Sequence, residues 1–208
     1  MFFDFAELDP TNVYKLMTST ITPRPIAWVV SQSAEGQLNA APFSFFNAMS
    51  GDPPIIALGI GNRDSGQPKD SFRNITQTGQ FVVNLVCHSM VGPMNITAIE
   101  FGPEVNEVEM ARLETLPSTK VKPPRLKDAP VAFECELFQS VDIGNQRAVI
   151  LGRLLAVHIG DEFVTDPVRC HIDTPALQLI GRMHGAGWYA RTTDLFKLDR
   201  IPLAEWKT

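Results

Sequence analysis

Short apolar runs, broken at close intervals by glycine, proline and asparagine, dominate the chain. "PIAWVVS" (25–31), "IIALGI" (55–60), "FVVNLV" (81–86), "VAFECELFQSV" (131–141), "AVILGRLLAVHIG" (148–160) and "ALQLIG" (176–181) have strand-like length and composition. Several are continuous rather than alternating, which predicts strands buried on both sides or turning a corner. "AEGQ", with Gly36, reads as a turn between the first strand and "LNAAPFSFFNAMS" (38–50). Helical and strand patterns do not alternate, so a doubly wound parallel sheet is disfavoured and an antiparallel barrel or sandwich fits.

Helices are few in this pattern. "QPKDSFRNITQTG" is the clearest: Pro68 and Asp70 suit a first turn, Phe72 and Ile75 form a short stripe, and Gly79 stands at a C-terminal cap. "SMVGPMNITAIE" predicts a second helix bent or split at Gly92-Pro93. Between Phe101 and Asp128, "NEVEMARLETL" suggests a short helix and "PSTKVKPPRLKD" an exposed loop.

Composition narrows the class. Hydrophobic residues make up 44% and charged residues 20% of 208, as expected for a globular chain with a sizeable core. One domain over 1–208 is expected. The net charge of −5 argues against a nucleic-acid surface, though not against a small phosphate pocket. No run spans a bilayer, and the acidic "MFFDFAELDP" start is unlike a secretory signal, so a cytoplasmic protein is expected. Cys87, Cys135 and Cys170 form an odd set without C-x-x-C spacing; Cys135 reads as a small core residue. Cys87-His88 and Cys170-His171 make a zinc site conceivable, but neighbours on a strand point apart, and no metal is expected.

Four stretches carry the candidate chemistry. In "TPRPIAWVVS" Arg24 stands between two prolines at a strand entrance. Pro25 biases it toward an extended backbone, so its guanidinium leaves from a stiff base; it faces either water or an anion. "NRDSGQPKDS" sets Lys69, Asp70 and Ser71 at a helix start, where free N–H groups favour an anion or are simply capped. It lacks the spacing of a nucleotide-binding Walker loop. "NAAPFSFFNAMSGDPP" interleaves Asn39, Ser44 and Asn47 with three phenylalanines. Alternation puts Phe43 and Phe45 on one face and Ser44 and Phe46 on the other. Apolar faces beside amides and hydroxyls suit a flat heteroaromatic ligand. "GRMHGAGWYART" places His184 in a glycine-rich loop, in water or over a ligand.

Taken in order, "ITPRPIAWVVS", "LNAAPFSFFNAMSGDPPIIALGI", "KDSFRNI", "FVVNLV" and the late "GR…G…WY" resemble the flavin reductase-like family of FMN-binding split barrels, which includes flavoredoxins and reductase components of two-component monooxygenases. The resemblance runs from about Thr20 to Tyr189. It implies a mostly β, Greek-key split barrel with a few short peripheral helices, a barrel core over about 20–189, a C-terminal tail over 190–208 and a homodimer. It implies FMN rather than FAD, bound by Thr22, Arg24, Pro25, Asn39, Ala41, Ser44, Phe45, Phe46, Lys69, Asp70 and Ser71, with Arg24 and Lys69 meeting across the phosphate. It implies hydride transfer from NAD(P)H to the flavin with no dedicated catalytic side chain, His184 being a candidate for substrate contact. A partner oxygenase or other redox protein would take the electrons. Some related reductases carry Gly-Asp-His near the nicotinamide; here "HIGDEF" has Glu162 in the histidine's place. That departure favours one rival, a flavoredoxin-like electron carrier, and because fold does not fix function a non-catalytic flavin-binding module is the other.

Overall fold

The computed structural model describes residues 1–145 and 147–206. The last two residues of the expected tail therefore lie outside it. The strands are β1 (Arg24–Pro25), β2 (Ala27–Gln32), β3 (Leu38–Phe43), β4 (Phe46–Gly51), β5 (Pro54–Ile60), β6 (Gln80–Leu85), β7 (Thr115–Leu116), β8 (Arg125–Leu126), β9 (Val131–Asp142), β10 (Ala148–Ile159), β11 (Val164–Asp166), β12 (His171–Ile172), β13 (Ile180–Arg182) and β14 (Tyr189–Arg191). The helices are α1 (Pro10–Thr20), α2 (Asp70–Thr78), α3 (Val91–Ile96) and α4 (Glu107–Met110).

Seven strands form one antiparallel sheet in the order β3-β2-β6-β9-β10-β5-β4. Its two edge strands are consecutive in the chain, separated by Ser44 and Phe45. Three residue steps span at most about 10 Å, so the edges must meet and the sheet must roll up. Phe43, Phe46 and residues from the other five strands, among them Val29, Leu58, Phe81, Cys135 and Ile150, share one interior core. Ile75 of α2 joins that core from outside the sheet. Gly152 gives Phe81 its room, since a Cβ there would lie 2.5 Å from the Phe81 ring.

A second core packs on the outer face. Trp28 and Val30 alternate with Ala27 and Val29, and Val82 with Phe81 and Val83, so successive residues enter opposite cores. This is why the runs are continuously apolar. Met90, Met94, Val108 and Leu126 complete the outer core, and Trp28 Nε1 donates to Thr97 Oγ1 at 2.9 Å.

Several expectations are corrected. Alternation across Phe43–Phe46 fails because the chain bends at Ser44–Phe45: Phe43 is buried, Phe46 packs on the interior core, and Phe45 is exposed against Tyr14. Gly59 permits this corner, because a Cβ there would lie 2.9 Å from Phe45 Cβ. Pro68 lies before α2, bridged to Asn62, and Lys69 is the N-cap. Gly92-Pro93 does not split a helix; both sit in the first turn of α3, where Pro93 is tolerated. The 117–128 segment is not a free loop. Leu126 is fully buried, and Glu134 on β9 accepts from the N–H groups of Thr119, Lys120 and Val121 at 2.8, 2.5 and 3.1 Å. Helix α1 is an addition: Asp9 caps it and Pro10 opens it, but Thr18 is its sole buried residue, so no apolar stripe announced it. No helix among the described residues is long and apolar enough to cross a membrane.

Candidate functional site

Two grooves flank the β3–β4 corner. The first, of about 550 Å³, is walled by Asn39, Ala41 and Phe43 of β3, by Lys69–Ser71, and by Arg63 and Glu100. Strand β3 presents its side chains there because it is a sheet edge, and α2 starts against it. Lys69 caps α2 with backbone only, and among the described residues no side chain caps the free N–H groups of the first turn. An uncapped helix start carries partial positive charge. Lys69 and Arg63 add full charges, set against the carboxylates of Asp70, Glu100 and Glu107 in the same walls, so a phosphate would sit at the α2 start, where the backbone N–H groups add to the two cations.

Carboxylates hold those cations in place. Lys69 Nζ donates to Glu100 Oε1 at 2.9 Å, which keeps the Glu100 carboxyl below its usual range. Arg63 and Arg73 both bind Asp70, and Arg63 also donates to Phe101 O at 2.6 Å. Ser71 Oγ donates to Asn39 Oδ1 at 2.6 Å, and Asn39 Nδ2 donates to Glu107 Oε1 at 3.0 Å. Burial, with Asp70 nearby, pushes the Glu107 carboxyl above its usual range. Five predicted residues thus gather here: Asn39, Ala41, Lys69, Asp70 and Ser71.

The second groove, of about 880 Å³, is mostly apolar and is lined by Met17, Ile21, Pro25, Phe45, Phe46 and Met49 among others. Ser44 and Arg24 also border it, whereas half-buried Thr22 does not line it, although its chain neighbours Ile21 and Pro23 do. The structure places Arg24 at this groove and Lys69 at the other. Arg24 is only 7% exposed, and its guanidinium donates to the carbonyls of Thr18, Ile21 and Met183 at 2.8, 2.6 and 2.9 Å. Burial lowers its pKa. The residue ties the end of α1 to the β13–β14 turn, while Lys69 faces the other groove.

The remaining candidates scatter. His184 stacks on Trp188 at 5.7 Å in the exposed β13–β14 turn. Glu162 is exposed in the 3-10 turn Asp161–Phe163. His158 of the same motif instead bonds the fully buried Glu134 at 2.5 Å. Cys87 contacts Ser89 and His88 contacts Arg191, and among the described residues no group of three metal-ligating side chains gathers. Sequence reading missed Arg63, Glu100 and Glu107. The "NRD" triplet before the glycine turn was a signal for Arg63; nothing local marked the two glutamates.

Comparison with known proteins agrees with this picture. A family model described as flavin reductase like domain matches residues 17–175, so the late "GR…WY" lies beyond the matched span. Nitrilotriacetate monooxygenase component B from Bacillus cereus is similar at 32% identity and a TM-score of 0.88, over 95% of this chain and 98% of that one. The Pseudomonas fluorescens 2-nitrobenzoate 2-nitroreductase NbaA is similar at 33% identity and a TM-score of 0.87, over 98% and 97%. A split-barrel-domain protein of Shewanella frigidimarina shares the fold at 20% identity and a TM-score of 0.79, over 97% and 98%.

Proposed function

We propose that this chain, which belongs to the flavin reductase-like family, binds FMN across the β3–β4 corner and reduces it with NAD(P)H. The observation that carries the reading is the uncapped start of α2, flanked by Lys69 and Arg63 and opening on the β3 groove. A phosphate dianion fits that donor set: backbone N–H groups, an ammonium and a guanidinium. Consecutive residues of the same corner then line the apolar groove, so Ala41, Ser44, Phe45 and Phe46 would flank the ring, with Pro25 and Thr22 at its far edge.

When bound, FMN supplies the hydride-accepting chemistry. This chain's residues bind, orient and exclude water. Lys69, Arg63 and the α2 start hold the phosphate end. Phe45 and Phe46 offer apolar surface against which a second ring can be held, and a positioned hydride donor needs no side-chain base. The apolar groove is open in one chain, and exposed Phe45 and Met49 on its rim support closure by a second copy as a homodimer. Likeness to component B of a monooxygenase supports a partner oxygenase as the user of the electrons.

The test is the absorption spectrum of the purified protein with added FMN, followed by anaerobic NADH or NADPH. A flavin band that bleaches on nicotinamide addition is expected. A bound flavin that stays oxidised would favour the electron-carrier reading, toward which the exposed Glu162 points. Protein that takes up no FMN would overturn both.

A further inference from the structure

Helix α4 carries a carboxylate into the wall of the first groove. Glu107 is 4% exposed; Oε1 accepts from Asn39 Nδ2 at 3.0 Å and Oε2 from the Ala40 N–H at 3.2 Å. Ala40 lies on the edge strand β3, so the carboxylate also satisfies an N–H that the sheet leaves unpaired. Asn39 Oδ1 accepts the hydroxyl proton of Ser71 at 2.6 Å and that of Ser31 at 3.4 Å. Ser31 Oγ accepts from Asn74 Nδ2 at 3.2 Å, while Asn74 Oδ1 is buried with no partner among the described residues. All five side chains are buried. The network holds more acceptors than protons.

Its direction matters for the groove. Every donor in Ser71→Asn39→Glu107 points toward the carboxylate. A serine hydroxyl has one proton, so Ser71 turns lone pairs to the groove. A phosphate oxygen is also an acceptor, and the two repel. One added proton reverses the Ser71–Asn39–Glu107 chain, and the amide gives up only the long 3.4 Å bond from Ser31 to its oxygen. Glu107 O–H donates to Asn39 Oδ1 once the amide turns over, and its other oxygen still accepts from Ala40. Asn39 Nδ2 then donates to Ser71 Oγ, and the Ser71 proton swings into the groove.

We propose that Glu107 is a positioning residue that sets the polarity of the Ser71 hydroxyl, taking up a proton when a phosphate-bearing ligand enters the groove. The proposal rests on the reading that the FMN phosphate lies at the start of α2. The surrounding charges suit it. Asp70 is held by Arg63 and Arg73, and Glu100 by Lys69, whereas among the described residues Glu107 has no cation partner. Its burial already favours the protonated form, and an arriving anion favours it further.

The experiment is calorimetric titration of FMN in two buffers of different ionisation heat, which counts protons taken up per FMN. Glu107→Gln imitates the protonated state: its amide N–H donates to Asn39 and its carbonyl accepts from Ala40. Relative to wild type, this variant takes up fewer protons, by up to about one per FMN, and binds at least as tightly. Because the phosphate is common to both, its own titration cancels. Equal uptake by the two proteins overturns the proposal. Ser71→Ala separates a polarity switch from plain charge repulsion, and it decides alone if Glu107→Gln fails a folding check. It lowers affinity and loses the same proton, whereas undiminished uptake overturns the proposal. Wild-type protein that binds no FMN overturns the phosphate reading itself, a distinct outcome.

Discussion

Replacing Arg24 by alanine tests whether the proline-flanked guanidinium serves the fold or a ligand. The substitution removes donors from three carbonyls, two at the end of α1 and one in the β13–β14 turn. A hydrogen bond from a charged donor contributes roughly 1.5–3 kcal/mol net, so the three sum to about 4.5–9 kcal/mol. Removing the guanidinium also removes its own burial cost, several kcal/mol in the opposite direction. The difference is a loss of about 3 kcal/mol, which for a chain of this size is a fall of roughly 6–12 °C in Tm. Flavin-free protein is the correct sample, because lost ligand would itself lower Tm. FMN affinity of the folded variant should stay within about threefold of wild type, since the guanidinium is already committed to three carbonyls and lines a different groove from Lys69. Unchanged Tm with FMN binding weakened about tenfold, 1.4 kcal/mol, would refute the reasoning and return Arg24 to the ligand.

Lys69→Ala has the opposite profile: Tm of the flavin-free protein moves little, and FMN Kd rises about 5- to 30-fold, read by fluorescence titration. Its ion pair with Glu100 is partly exposed, so losing that pair costs little stability. Glu134 is opposed by burial, but three backbone N–H groups and His158 hold its carboxyl below the usual value of 4.5. Its folded pKa is thus below the unfolded one, so its contribution is complete above about pH 4.5 and lost as pH falls through the folded value. Glu134→Gln is expected to flatten that acid limb in urea melts and to destabilise the protein by about 2–3 kcal/mol at pH 7. Gly59→Ala crowds Phe45 and should cost about 1–3 kcal/mol while shifting near-UV signals of the corner; a neutral outcome would mean the corner yields freely.

Much of the barrel was legible because it depends on local pattern. Strand runs, the Gly36 turn and α2 with its Gly79 cap declare themselves through periodicity and turn chemistry. The Ser44–Phe45 corner did not, because an unbroken aromatic run reads the same straight or bent. Arg24 shows the limit at the site. Its stiff flanks were visible, but one of its acceptors, Met183, lies 159 residues away. Glu107 and Asn39 are 68 residues apart, and no local spacing reveals that a glutamate in a polar segment is buried against an edge strand. Residues brought to one groove by α2 and β3 were found; those delivered by the 97–107 segment were not.

The corner that joins the two sheet edges also divides the molecule by how its amides meet water. Strands β6 and β9 are laddered on both sides, so their protons exchange chiefly when the whole sheet opens. Strands β3 and β4 each have one laddered neighbour in the sheet, and the β4–β5 ladder runs on into the corner, where Gly59 N–H reaches Phe45 O at 2.7 Å. Small openings there expose amides while the rest of the barrel stays shut. A flavin laid along that seam would act as a deuterium shield for a handful of residues. Its footprint would then be readable from exchange rates at β3, β4 and the first turn of α2, in protein whose flavin is reduced and colourless.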